Sequence, residues 1–136
     1  MFHLDSCICV DFLRGNLPLS YQAFRRADPR LFALPAVVVA ELRLGAEKSS
    51  RKDAMATTER LISEFSIVPF DDECATAYAR LRANLERRGC AIGPNDMLIA
   101  ATALTHEATL VTRNEQEFAR VPGLRVEVWE DFVGNL

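Results

Sequence analysis

What most constrains this chain is a rhythm of short apolar runs, each separated from the next by a stretch with helical periodicity. The runs are Phe2–Leu4, Leu31–Leu34, Ile67–Pro69, Thr109–Thr112 and Arg125–Val128. Between them lie helical segments at Ile8–Leu13, Ser20–Ala27, Ala36–Lys48, Arg51–Phe65, Asp71–Arg88, Pro94–Thr105 and Glu115–Arg120. Asp71–Arg88 carries Ala75, Tyr78, Leu81 and Leu85 at spacings of three and four, the mark of a helix with one buried face. Pro94 suits a first helical turn, where its missing N–H has no partner to lose. Antiparallel neighbours can be joined by a tight turn, but parallel strands need a crossover of about a dozen residues or more, usually a helix. The alternation therefore predicts a three-layer α/β/α sandwich around a mainly parallel sheet of about five strands. At 136 residues, a single domain spanning 1–136 is expected.

Several classes are excluded by the same residues. The longest apolar stretch, Leu31 to Ala40, is broken by Pro35 and falls short of the roughly 20 residues a membrane-spanning helix needs. Met1–Asp5 has no Lys or Arg leading an apolar run, so no secretory signal is expected. Cys7, Cys9, Cys74 and Cys90 form no CxxC pair and no zinc-ligand spacing. They are expected to be free thiols, buried or half-buried, in a reducing, cytoplasmic setting. At a net charge of −3 the chain lacks the bulk basic footprint of a nucleic-acid binder.

The informative residues are acids standing where apolar residues belong. Glu41 has Val37, Val38, Leu44 and Gly45 three and four positions away, on its own face of the Ala36–Lys48 helix. Either it lies on a rim with its carboxylate in water, or it is buried and must be hydrogen-bonded or metal-bound, because an unpaired buried charge is costly. Asp96 stands in a first helical turn, where an acid complements the dipole. Asp5 ends the first strand as a natural helix N-cap. Taken singly, each has a structural explanation. Taken together, they converge on the carboxyl edge of the sheet, where open α/β sheets bind ligands. Thr112–Phe118 brings more oxygen donors to that edge. Carboxylates so gathered repel one another unless a divalent cation joins them, and an oxygen-only set suits Mg²⁺ or Mn²⁺. Such a site is the usual apparatus of phosphodiester hydrolysis. Two other acidic-pocket folds fail. A haloacid-type phosphatase would want an Asp where Cys7 stands, and a receiver domain a Lys late in the chain, whereas the last is Lys52.

Five segments match a family in order and spacing. They are Leu4-Asp5-Ser6, then Val39-Ala40-Glu41-Leu42-Arg43-Leu44-Gly45, then Gly93-Pro94-Asn95-Asp96-Met97-Leu98-Ile99-Ala100-Ala101. Thr109-Leu110-Val111-Thr112-Arg113-Asn114 through Glu117-Phe118 follows, and finally Val121-Pro122-Gly123-Leu124. The ordered set covers essentially the whole chain and resembles the PIN-domain ribonuclease toxins of the VapC type, from VapBC toxin–antitoxin pairs. The resemblance implies that Asp5, Glu41 and Asp96 form a catalytic acidic core holding Mg²⁺, with Mn²⁺ as a substitute. A fourth acidic role falls on Glu117. Many members have Asp where this chain has Asn114, while others keep Asn there and place an acid three residues on. Asn114 is then a neutral ligand or substrate contact, and Glu115 a surface residue. The family's usual Asp-Thr-Asn opening reads Asp5-Ser6-Cys7 here. Ser6 keeps a hydroxyl that can orient the site, while Cys7 replaces an amide of its hydrogen-bond network.

The implied function is the toxin of a type II toxin–antitoxin pair, a Mg²⁺-dependent endoribonuclease. It would use metal-activated water and leave 5′-phosphate and 3′-hydroxyl ends. The alternative, prompted by Cys7 and Asn114, is a catalytically weak PIN domain serving mainly as an antitoxin-binding co-repressor. A metal-free ribonuclease would want a His acid/base pair. His3 and His106 are the only histidines and stand in no motif, so both are expected to be structural or at the surface. Setting the four proposed site acids aside leaves the rest of the chain at +1. Arg25, Arg26, Arg30, Lys48, Arg51, Lys52 and above all Arg113, which adjoins the site, are candidate phosphate contacts. No aromatic platform is visible, which favours a structured RNA such as a tRNA or rRNA. The resemblance also implies a homodimer, no membrane, and a cognate VapB-type antitoxin whose C-terminal segment crosses the site. Leu61, Ile62 and Phe65 would serve equally as core or as a groove for that partner.

Overall fold

The computed structural model describes residues 1–15 and 26–134. Among these, five strands form one sheet: β1 (Phe2–Leu4), β2 (Phe32–Pro35), β3 (Ser66–Val68), β4 (Thr109–Thr112) and β5 (Arg125–Val128). Their order is β3-β2-β1-β4-β5 and every pair is parallel. The connections carry α1 (Ser6–Arg14), α2 (Ala36–Lys48), α3 (Ala54–Ile62), α4 (Asp72–Arg87), α5 (Pro94–Thr105), α6 (Glu115–Phe118) and α7 (Trp129–Gly134). From β1 to β3 the chain steps one way across the sheet, and from β3 to β5 the other. Parallel crossovers are right-handed, so α1–α3 cover one face and α4–α6 the other. This is the expected α/β/α sandwich.

Local chemistry sets the element ends. The Asp5 side chain accepts the Ser6 N–H at the start of α1, and Gly15 ends that helix with φ 67°. Asp71 caps α4 by accepting the Cys74 N–H at 3.0 Å. Around α5, Met97, Ile99, Ala100, Ala101 and Ala103 are all buried. A helix apolar on every side belongs inside, and its alanines let it lie close to the sheet. Leu61, Ile62 and Phe65 are buried in the core, which settles them as core rather than groove.

Some boundaries differ from expectation. α3 begins at Ala54 rather than Arg51, because the Arg51 N–H turns back onto the Ser49 hydroxyl at 3.2 Å. It ends at Ile62, where the Ser63 hydroxyl bonds back to the Arg60 carbonyl at 2.7 Å. α7 has too few residues to show a period in the sequence; its Trp129 is fully buried and meets the Phe12 ring edge-on at 5.3 Å. The Ser20–Ala27 segment falls largely outside the described residues. All four cysteines are free, with Cys9 and Cys74 buried and Cys7 and Cys90 half-buried. No helix of the described residues is long and apolar enough to cross a membrane.

The strand order positions the site. The chain leaves β1 toward β2 and later returns on the other side of β1 as β4. Connections departing in opposite directions open a crevice at the carboxyl ends of β1 and β4, where such sheets bind ligands.

Candidate active site

Asp5 follows β1 directly, and its N–H extends the sheet by bonding the Val111 carbonyl at 3.0 Å. Its side chain is only 4% exposed, yet both oxygens are satisfied. Oδ1 accepts from the Ser6 N–H at 2.8 Å, and Oδ2 from the Thr112 hydroxyl at 2.7 Å and the Cys7 thiol at 3.5 Å. Thr112 is fully buried at the end of β4, and its Oγ1 also accepts the Asn114 N–H at 2.9 Å. One hydroxyl thus joins the ends of both central strands to the loop beyond them. Burial and the Asp5 charge push the Cys7 thiol up to about 11, so it stays protonated and acts as a donor.

Glu41 reaches the crevice from α2. It stands at the rim of that helix's buried stripe, with Val38 and Leu42 buried and Leu44 exposed. One of its oxygens, Oε1, is buried without a hydrogen-bond partner among the described residues. Burial, then the Asp5 charge, raises its pKa, while hydrogen bonding from the Ser6 and Asn95 side chains pulls the other way. The two expectations for Glu41 thus meet halfway: a rim position with one oxygen drawn inside.

Asp96, in the first turn of α5, is the most perturbed acid of the site. Burial, then a hydrogen bond to Glu117, then the charges of Asp5, Glu117 and Glu41 raise it to about 7. Two carboxyl groups share a hydrogen bond only with a proton between them. Glu117, on α6, also accepts from Asn114 Nδ2 at 2.9 Å. Asp96 is therefore within electrostatic reach of Asp5, Glu41 and Glu117, and Glu41 within reach of Asp5. Among the described residues no three His, Cys, Asp or Glu side chains stand as a ready-made metal-ligand group. What the four share is an all-oxygen donor set, mutual repulsion and, at Glu41, an orphaned buried oxygen.

Residues 3–124 match the PIN domain family. Over 132 residues the chain is 36% identical to Ribonuclease VapC2 of Rickettsia felis, covering 96% of this chain and 98% of that one. The chain belongs to the PIN-domain family, among the VapC ribonucleases. It is also 36% identical over 129 residues to the tRNA(fMet)-specific endonuclease VapC of Shigella flexneri, covering 94% and 97% of the two chains. The crystal structure of DNA-bound VapBC from Salmonella typhimurium superimposes with a TM-score of 0.88 at 33% identity, covering 94% of this chain and 97% of that one.

Three of the candidate phosphate contacts in this PIN domain, Arg113, Arg30 and Arg51, are engaged by carboxylates. Arg113 is held by two carboxylates, Asp11 of α1 at 2.5 Å and Glu130 of α7 at 3.2 Å. It braces the end of β4 rather than offering a free guanidinium. Arg30 pairs with Asp28 at 2.8 Å and Arg51 with Asp53 at 3.4 Å, while Arg25 lies outside the described residues. His3 is fully buried, and burial, His106 and the N-terminal amine hold its pKa down at about 4. It is a neutral ring in the PIN-domain core. The sequence pattern brings Thr112 to this edge only as one oxygen donor of the Thr112–Phe118 segment, with no sign of its bond to Asp5, and it assigns Asn95 no role.

Proposed function

We propose that this chain is the toxin of a type II toxin–antitoxin pair, an endoribonuclease whose Asp5, Asp96, Glu41 and Glu117 hold Mg²⁺, with Mn²⁺ as a substitute. The observation that carries this reading is Asp96, raised to about 7 by burial and by three neighbouring acids in one crevice. A concentration of carboxylates that costly suits a hard divalent cation, and the orphaned Oε1 of Glu41 supplies a further oxygen donor. The chemistry a bound divalent cation supplies is activation of an attacking water and stabilisation of charge growing on the phosphate oxygens.

The chain's own residues prepare that chemistry. Ser6 N–H, Thr112 and Cys7 aim both oxygens of Asp5. Asp96, raised to about 7, must lose its proton before it can act as a ligand, so metal affinity increases as pH rises toward 7. Asn114 orients Glu117, the Ser6 side chain orients Glu41, and Arg113 braces β4 against α1. Hydrolysis leaves 5′-phosphate and 3′-hydroxyl ends. The weakly catalytic alternative is disfavoured, because Cys7 keeps a donor on Asp5 and all four acids share the crevice.

By likeness to the VapBC complex, the chain pairs with a VapB-type antitoxin. Its free thiols suit the reducing cytoplasm, and the family resemblance makes it a homodimer. The name of the Shigella flexneri relative makes tRNA the first structured RNA to try. The test is to purify the chain free of any partner and incubate it with total cellular RNA and Mg²⁺ or Mn²⁺. Parallel reactions contain EDTA, or the Asp5→Asn or Asp96→Asn variant, and fragment ends are mapped by sequencing. Discrete cleavage lost in all three controls is expected. A folded chain showing no metal-dependent cleavage overturns the nuclease in favour of the co-repressor.

A further inference from the structure

Neutralisation of Arg113 raises the question of which cation meets RNA beside the acids. Among the described residues Arg30, Arg43, Arg51, Arg82 and Arg113 are all ion-paired. Arg120 is exposed and not among them. Its Nη1 instead donates to the Ala91 carbonyl at 3.2 Å, in the loop joining α4 to α5.

Three observations place that guanidinium beside the acidic crevice. Arg120 follows Glu117 by one helical turn, its N–H bonding the Glu117 carbonyl at 3.1 Å, so the two side chains lie on one side of the turn. Glu117 in turn hydrogen-bonds Asp96. Ala91, the anchor, stands two residues before Gly93, where an added Cβ would lie 3.5 Å from Asp96 Oδ2. The guanidinium has five N–H donors, and among the described residues only one is engaged. A fork fixed at one prong loses less rotamer freedom when it binds an anion than a free side chain does, and its planar geometry matches phosphate. Arg87 and Arg88 are exposed at the start of the same loop, and neither forms an ion pair among the described residues.

We propose that Arg120 is a substrate-binding residue, its anchored guanidinium taking a backbone phosphate next to the one cleaved, with Arg87 and Arg88 continuing the track. This rests on RNA being the substrate of the acidic site. Bulk tRNA serves as the probe, with Arg120→Gln, Arg120→Lys and Arg113→Gln compared with the unaltered chain. Binding without metal and Mg²⁺-dependent cleavage are both measured, and thermal melts check folding.

For Arg120→Gln, binding is expected to weaken about tenfold, with the slope of log affinity against log salt shallower by about 1. KM should rise in parallel while kcat stays within about twofold. Arg120→Lys should recover the salt slope but only part of the affinity. Arg113→Gln should leave the slope unchanged. An unchanged slope in Arg120→Gln overturns the proposal, as does a fall in kcat without a change in binding, which would make Arg120 a brace for Glu117. Binding that depends on Arg120 without any cleavage would leave the phosphate site standing and remove the nuclease. A chain that binds no tRNA overturns the proposal.

Discussion

His3 and Asp5 stand two residues apart at the centre of the sheet, 0% and 4% exposed, and the fold treats them in opposite ways. Around His3, inside β1, the neighbours offer no hydrogen-bond partner to either ring nitrogen among the described residues. The ring is carried neutral, its pKa down at about 4, chiefly through burial. Around Asp5, one step beyond the strand, three donors converge from Ser6, Cys7 and Thr112, and three more acids share the crevice. Strand interiors have their backbone groups committed to the ladder and apolar side chains above and below. Strand ends meet helix starts and loops, which have N–H groups and hydroxyls to spare. A buried polar group is thus neutralised in the first place and equipped in the second.

The sharpest way to break this contrast is to substitute both residues. Asp5→Asn keeps the size of the side chain but removes its charge, and cleavage should fall by about a thousandfold or more, measured as kcat/KM on a mapped RNA site. His3→Leu should leave both kinetic constants within about twofold. Loss of cleavage in a folded His3→Leu chain would instead make the ring a working acid or base. Next in size is Thr112→Val, which strips one donor from Asp5 and one acceptor from the Asn114 N–H. Titration calorimetry should show Mg²⁺ affinity reduced about 10- to 100-fold. Urea melts should show a loss of about 1–3 kcal/mol from the unsatisfied groups.

Much of this arrangement is legible in the residues themselves. The alternation of apolar runs with helical periods is local, and β1, β4, β5, α2 and α5 stand where it places them, with β2 one residue on. Asp5, Glu41 and Asp96 announce themselves as acids set in apolar surroundings, and Glu117 through the resemblance. What stays hidden is pairing between distant positions: Thr112 with Asp5, Arg113 with Asp11 and Glu130, Arg120 with Ala91. No period along the chain links residue 5 to 112; only the parallel pairing of β1 with β4 does. The same limit explains α7, whose few residues are too short to show a period but bury Trp129.

The two regions should also give opposite pH responses over one window. His3 has a lower pKa folded, about 4, than its ordinary 6.5, so the stability it contributes is full above 6.5 and lost as pH falls toward 4. Asp96 has a higher pKa folded, about 7, than its ordinary 3.8. Its contribution is full below 3.8 and lost as pH rises toward 7. In EDTA, Asp96→Asn should therefore gain thermal stability with rising pH between about 4 and 6.5. His3→Leu should lose it between about 4 and 7. Saturating Mg²⁺ should abolish the second slope, because the ion binds the deprotonated acids. Superimposable curves for both variants would mean that neither group titrates as its surroundings dictate.

The smallest effect concerns Cys7, where the equipped region is weakest. A thiol is a poor donor, and its 3.5 Å contact with Asp5 Oδ2 is far longer than the 2.7 Å contact from Thr112. Its pKa of about 11 keeps the proton in place but does not strengthen the bond. A carboxamide N–H donates better, so Cys7→Asn should hold Asp5 more firmly and raise Mg²⁺ affinity about threefold. Most of that change should appear at subsaturating metal, since the acids themselves are untouched. Cys7→Ala should shift affinity the other way by a similar factor. If neither substitution alters metal binding while Thr112→Val does, the aim of Asp5 depends on one hydroxyl and one backbone N–H. The contrast with His3 then narrows to what the end of β4 supplies.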